Sequence, residues 1–171
     1  PYTEHAPEGY DLRHLIAEYY GATTWMDSAV GRMLTALDRA GLADDTIVVF
    51  TADHGDNLGS LGLVQKGGHN EESVRIPLVV RYAQGAQGSV VSDRVASLVD
   101  VAPTLIEAVG GDIPSHMAGE SLLGAEGGRA ARRPHAFIET GNGAAVRTRT
   151  HLYALPRDGQ RGPLTPRPNW F

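Results

Sequence analysis

Apolar residues recur near the start of the chain in steps of three and four. Leu12, Leu15, Ile16, Tyr19, Met26, Val30, Met33, Leu34 and Leu37 fall on one face of a long amphipathic helix. Asp11 is placed to cap its start and Gly41 to stop it, with Gly21 a weak point in its middle. The ten residues before it read as a loop. The pattern changes at Thr46-Ile-Val-Val-Phe-Thr51, which is short, β-branched and apolar on both faces. Such a run predicts a central strand in a sheet covered by helices. Residues 53–70 are glycine-rich and polar and read as a loop. A second apolar strand is predicted over 76–81, with Pro77 at its start, where a missing N–H is tolerated.

Beyond it, residues 85–89 predict a turn and 93–98 a short strand. Residues 101–109 predict a helix capped by Asp100, with Pro103 in its first turn and Gly110-Gly111 as its stop. Residues 113–133 carry no regular pattern. Residues 135–139 and 144–155 read as strands joined through a hairpin turn at Gly141-Asn142-Gly143. The segment 156–171 holds four of the ten prolines and no periodicity. Helices alternating with buried strands argue for an α/β core with a small antiparallel extension.

Composition narrows the classes. The chain has 171 residues, 42% hydrophobic and 20% charged, which is a globular balance. With no cysteine, disulfides, zinc–thiolate sites and cysteine nucleophiles are excluded. No apolar run approaches the ~18 residues of a membrane helix, so no membrane span is expected. The net charge of −5 is unevenly spread. Residues 1–128 carry 7 basic and 18 acidic groups, and residues 129–171 carry 8 basic and 2 acidic. A basic tail can attract anions, but no aromatic and basic interleaving accompanies it. It reads as a solvated arginine-rich segment, and nucleic acid is not an expected partner. The chain opens on Pro1 without an initiator Met and reads as an excised or truncated piece.

Candidate chemistry gathers after the first strand. Ligands of open α/β sheets collect at the carboxyl ends of strands, and Asp53-His54-Gly55 sits at such an end. A carboxylate and an imidazole there can reach one metal only if the backbone leaves strand geometry, since strand neighbours face opposite ways. Gly55 supplies that freedom. On spacing alone a turn-forming Asp and an ordinary loop His are equally good readings. Lys66 is the one Lys in a chain with 14 Arg. A compact ammonium can meet a single anionic oxygen or donate a proton, and Gly67-Gly68 beside it let backbone approach a ligand. His69 and His5 are further candidates. His14, His116, His135 and His151 carry no recognisable spacing. Glu71-Glu72 reads as the charged first turn of a helix.

Val48-Val-Phe-Thr-Ala-Asp-His-Gly-Asp56, Leu58-Gly-Ser-Leu-Gly-Leu63, Lys66 and Glu71-Glu-Ser-Val-Arg-Ile-Pro-Leu78 resemble the carboxy-terminal half of a sulfatase, within the alkaline phosphatase superfamily. Residues 19–37 resemble the helix before the metal-binding strand. Ser97-Leu-Val-Asp-Val-Ala-Pro-Thr-Leu105, with Gly110, Pro114 and Gly119-Glu-Ser-Leu122, resembles the segment after it. The match runs in order over residues 11–122, and more loosely to Tyr153.

The resemblance implies part of an alkaline-phosphatase-like central sheet flanked by helices. Residues 1–128 would be the carboxy-terminal portion of the α/β domain, and 129–171 a small antiparallel extension with an irregular tail. Asp53 and His54 match metal ligands of the family, Lys66 matches the lysine that contacts the sulfate and the leaving-group oxygen, and His5 or His69 is a further catalytic candidate. The implied metal is Ca²⁺, or Mg²⁺ or Mn²⁺ in relatives, and the implied substrate is a sulfate ester of a small molecule or sugar.

Departures are equally plain. The family's nucleophile is a formylglycine made from Cys or Ser in Cys/Ser-x-Pro-x-Arg, and no such motif stands here. The first metal-binding aspartates and the carboxy-terminal Leu-Tyr-Asp-Leu-type segment are also missing. The nucleophile is expected in an absent amino-terminal part, and this chain alone is expected to be inactive. The rival readings are a phosphonate monoester hydrolase or phosphodiesterase of the same superfamily, and a non-catalytic module derived from it. The joint retention of Asp53, His54 and Lys66 favours an enzyme.

Overall fold

The computed structural model describes residues 4–5, 9, 11–83, 91–123, 133–141 and 143–156, with residues 4 and 5 as backbone. The turn expected at 85–89, Asn142 of the hairpin turn, residues 124–132 and the tail from 157 lie outside the described residues. The chain divides into two compact units, Pro1–Gly88 and Ser89–Phe171. As expected, helices and strands combine in an α/β architecture.

In the first unit, helix α1 spans Leu12–Arg39 and passes Gly21 without a break. Asp11 Oδ1 accepts from the N–H groups of Arg13 and His14, both at 3.1 Å, which satisfies two of the free donors of a helix start. Gly41, at φ +69°, ends the helix in the left-handed conformation that glycine tolerates best. The predicted apolar face is only partly covered. Leu12, Leu15, Ile16, Val30, Leu34 and Leu37 are half-buried, whereas Tyr19, Met26 and Met33 are exposed. A helix of this length runs ~42 Å. The strands of its unit are two and four residues long and too short to cover it.

Strand β1 is Glu4–His5, β2 is Val48–Thr51, β3 is Leu63–Val64, α2 is Glu71–Val74 and β4 is Leu78–Arg81. Strands β2 and β4 pair antiparallel, Val48 opposite Arg81 and Thr51 opposite Leu78. The Thr51 hydroxyl donates to the Pro77 carbonyl at 2.8 Å, so the proline that opens the second apolar run still contributes an acceptor. The expectation that β2 is covered on both faces is corrected. Among the described residues β4 is its one strand partner, and Phe50 and Val79 are exposed. A second correction falls in the first ten residues, read as loop. Strand β1 pairs antiparallel with β3, Glu4 opposite Val64 and His5 opposite Leu63. The polar loop thus contains a buried apolar residue, Val64, which anchors it.

In the second unit, α3 spans Val101–Ala108, and Gly110 at φ +80° stops it. The strand expected over 93–98 does not form. Residues 91–97 have no ladder, and Leu98–Asp100 is a 3-10 turn. Asp100 explains the change, because its side chain does not cap α3. It is buried and accepts from Ser97 N at 2.8 Å and Glu120 N at 2.9 Å, and it pairs with Arg133 Nη2 at 2.6 Å. A buried carboxylate needs such partners. Arg133 therefore turns inward, so this arginine-rich stretch is not uniformly solvated, whereas Arg149 pairs with Asp93 at 2.7 Å on the exposed surface.

Among the described residues the remaining strands are β5 (His135–Thr140), β6 (Gly143–Thr148) and β7 (Leu152–Pro156), an antiparallel sheet in the order β5-β6-β7. The single strand expected over 144–155 is split at 149–151. Thr148 N donates to His151 O at 2.8 Å, and Thr148 Oγ1 accepts from His151 N at 3.0 Å, which closes a turn there.

Buried Thr104 donates to Asp100 O at 2.6 Å and accepts from Leu122 N at 2.9 Å. Thr104→Val keeps the volume and strands the Leu122 N–H. It should cost about 1–3 kcal/mol, read as a lower urea midpoint at an unchanged slope.

Candidate metal and oxyanion site

Strand β2 ends at Thr51, and the backbone leaves strand geometry before Asp53. This departure lets neighbouring side chains turn to the same side. His54 N donates to Asp53 Oδ1 at 2.9 Å, which folds the carboxylate back over its own turn. His54 Nδ1 lies 2.9 Å from the Gly55 carbonyl. A carbonyl can only accept, so in the neutral ring the proton sits on Nδ1 and the lone pair on Nε2. That Nε2 stands 3.4 Å from Asp53 Oδ2.

This separation is long for a hydrogen bond between them. It suits two ligands of one ion, since ligands ~2.4 Å from a cation and at right angles are ~3.4 Å apart. The anionic oxygen of Asp53 fits a hard divalent cation, and the imidazole nitrogen of His54 is a softer second donor. Asp53 is 85% exposed and His54 37% exposed, so further ligands can approach. Among the described residues no third His, Asp or Glu joins the pair.

Gly55 has a role other than the one its type suggested. Its φ is not in the left-handed region. What it provides is space: a Cβ there would stand 2.0 Å from the Glu72 carbonyl oxygen. Gly55 N donates to Ser73 O at 2.9 Å, so the turn bearing Asp53 and His54 is pressed directly onto α2.

Lys66 is exposed and follows β3, which β1 flanks. His5 is brought by backbone pairing opposite Leu63, three positions before Lys66. His69 is half-buried in the segment between Lys66 and α2. His14 pairs with Glu18 one helical turn on, at 3.2 Å, on the exposed face of α1. The structure thus brings Asp53 and His54 together and sets the Lys66 loop against the same short helix.

The groups that arrange this loop do not stand out by residue type. Asn57 is buried, and both its N–H and its Nδ2 donate to Gln65 O at 2.8 Å. Asn70 Nδ2 donates to Asn57 Oδ1 at 3.2 Å. Buried Ser73 offers Oγ to Gly67 N at 3.4 Å. The one possible signal is the rarity of fully buried asparagine, but burial is not readable from a polar loop.

Known proteins resemble this chain over the same region. The family model described as Sulfatase matches residues 1–111. The multifunctional alkaline phosphatase superfamily protein PehA of Trinickia caryophylli is 40% identical over 114 residues, 66% of this chain and 22% of that protein. An N-acetylglucosamine-6-O-sulfatase of Bacteroides thetaiotaomicron is 35% identical over 113 residues, 66% of this chain and 20% of that protein. Among solved structures, a 2-O GAG sulfatase superposes with a TM-score of 0.74 at 27% identity, over 86% of this chain and 35% of that one. The phosphonate monoester hydrolase of Agrobacterium radiobacter superposes with a TM-score of 0.72 at 28% identity, over 85% and 34%. The chain spans about a fifth of the length of these two curated relatives.

Proposed function

The chain belongs to the sulfatase family, and from that premise we propose that it supplies part of the metal and oxyanion site of a sulfuric ester hydrolase. The observation that carries the reading is the approach of His54 Nε2 to Asp53 Oδ2 at 3.4 Å, at the carboxyl end of a strand. In this reading Asp53 and His54 hold a divalent cation, Ca²⁺ foremost, with Mg²⁺ or Mn²⁺ as alternatives. Such an ion, when bound, polarises the ester oxygens and stabilises developing negative charge. Asp53 contributes the negative charge that retains a cation. The Gly55 carbonyl fixes the His54 ring so that Nε2 presents its lone pair. Lys66 directs an ammonium at the sulfate and the leaving-group oxygen, where it offsets charge in the transition state.

The nucleophile, a formylglycine in this reading, and the remaining metal ligands come from outside residues 1–171. Two protein ligands are few for an ion that takes ~6–8. Residues 1–171 alone, purified with Ca²⁺ and an aryl sulfate, should therefore give no metal-dependent turnover. Turnover that Asp53→Ala abolishes would contradict this and place a nucleophile within the chain.

A second reading, a phosphonate monoester hydrolase, draws on the superposition with the Agrobacterium radiobacter enzyme. The same metal pair and lysine serve either ester, because both present tetrahedral anionic oxygens. Parallel assays of an aryl sulfate and a phosphonate monoester, with the protein that carries this chain, decide between them. The sulfatase reading predicts the larger kcat/KM for the sulfate, and the reverse order overturns it.

A further inference from the structure

We propose that Asn57 is a positioning residue that locks the loop bearing Lys66 onto the turn bearing Asp53 and His54. The proposal rests on reading those three residues as one site, and it concerns how this chain holds them together. Asn57 is 1% exposed and uses its backbone N–H and both ends of its amide. Its N and Nδ2 each donate to the Gln65 carbonyl at 2.8 Å, and its Oδ1 accepts from Asn70 Nδ2 at 3.2 Å.

The identity of the acceptor matters, because Gln65 immediately precedes Lys66 and sits at φ +61°, in the left-handed region. That conformation brings a Cβ too close to the next carbonyl oxygen and is costly for any residue but glycine. Two hydrogen bonds to one carbonyl, one from the Asn57 backbone N–H and one from its side-chain amide, itself held by Asn70, offset that cost and fix the peptide leading into Lys66. The peptide on the other side is tied as well, through Gly67 N to Ser73 Oγ at 3.4 Å. Ser73 is also the residue whose carbonyl receives Gly55 N, next to His54. The peptides after Lys66 and after His54 are therefore both bonded to buried Ser73, while the peptide before Lys66 is bonded to buried Asn57, three positions beyond His54. Leu58, at φ +43°, continues the strained stretch and is held by Asp56 Oδ1 at 2.9 Å. Backbone strain of this kind persists where surrounding bonds over-determine it, and it clusters at functional sites. A side chain of equal volume without the amide would fill the space and leave Gln65 O with the Asn57 N–H as its one donor from that residue.

The single lysine makes the test direct. Lysine labelled with ¹³C gives one labelled site, Lys66, and labelled imidazole gives seven, among which His54 is the signal missing from His54→Gln. Mn²⁺ is the probe, as a paramagnetic ion that broadens signals near where it binds. In the wild-type chain both His54 and Lys66 should broaden. In Asn57→Ala, His54 should broaden as before and Lys66 should broaden several-fold less, because the metal pair stays while the peptide before Lys66 loses one of its two bonds. Asn70→Ala, which removes one bond to Asn57, carries the same test if Asn57→Ala does not fold. Lys66 broadened as strongly in the variant as in wild type overturns the proposal, as does Lys66 that fails to respond in wild type while His54 does. If His54 is silent in wild type, the metal reading falls, and the lock is judged on metal-free protein. Amide exchange of Gly67 should then run about tenfold faster in Asn57→Ala, the scale of one net hydrogen bond. Unchanged exchange overturns the proposal.

Discussion

Replacing Asp53 with Ala should lower metal-dependent kcat by about 1,000-fold in the protein that carries this chain. The magnitude follows from the several kcal/mol that a positioned cation contributes to transition-state charge stabilisation, at ~1.4 kcal/mol for each tenfold. Asp53 is the anionic member of the pair, and its Oδ2 stands 3.4 Å from His54 Nε2. Without it one neutral imidazole remains, which retains a hard cation poorly. The fold should survive, because Asp53 is 85% exposed and its side chain bonds within its own turn. Kinetics at rising metal concentration, with a thermal melt as control, check the result. A variant with near-normal kcat at ordinary metal levels would remove Asp53 from the site.

Lys66→Ala should lower kcat by ~100-fold or more, the scale of losing one oxyanion donor. This figure separates the two readings of an exposed lysine. A solvated surface cation contributes at most ~1 kcal/mol, about a fivefold effect. A cation aimed at the leaving-group oxygen contributes several times that in free energy. Lys66→Arg should restore only part of the loss, since the guanidinium is broader and planar where the ammonium acts as a point charge. A kcat within fivefold of wild type in Lys66→Ala would assign Lys66 to the solvated surface.

Much of the secondary structure is legible in the sequence because it rests on local chemistry. Asp11 and Gly41 bound α1 through bonds made within a few residues of each. The apolar runs ending at Thr51 and Arg81 mark β2 and β4, and Gly110 marks the end of α3. The features that escape depend on distant partners. The side chain of Asp100 reaches Glu120 and Arg133, 20 and 33 positions away, and these bonds replace the expected helix cap. The pairing of β1 with β3 joins two-residue segments nearly sixty positions apart, too short to carry a period.

The candidate site divides in the same way. Asp53, His54 and Lys66 stand out by residue type and by a motif. Asn57 and Ser73 do not, because a side chain that bonds to a loop backbone leaves no periodic trace. Gly55 is visible in the sequence but its purpose is not: its small size accommodates the Glu72 carbonyl, and its φ lies outside the left-handed region.

The most direct measurement is a crystal of this protein soaked with Mn²⁺, with the ion located by its anomalous scattering. The expected result is a peak about 2.0–2.6 Å from both Asp53 Oδ2 and His54 Nε2, the range of metal bonds in such sites. A bound ion elsewhere, with Asp53 and His54 left bare, would contradict the assignment of these two residues as metal ligands.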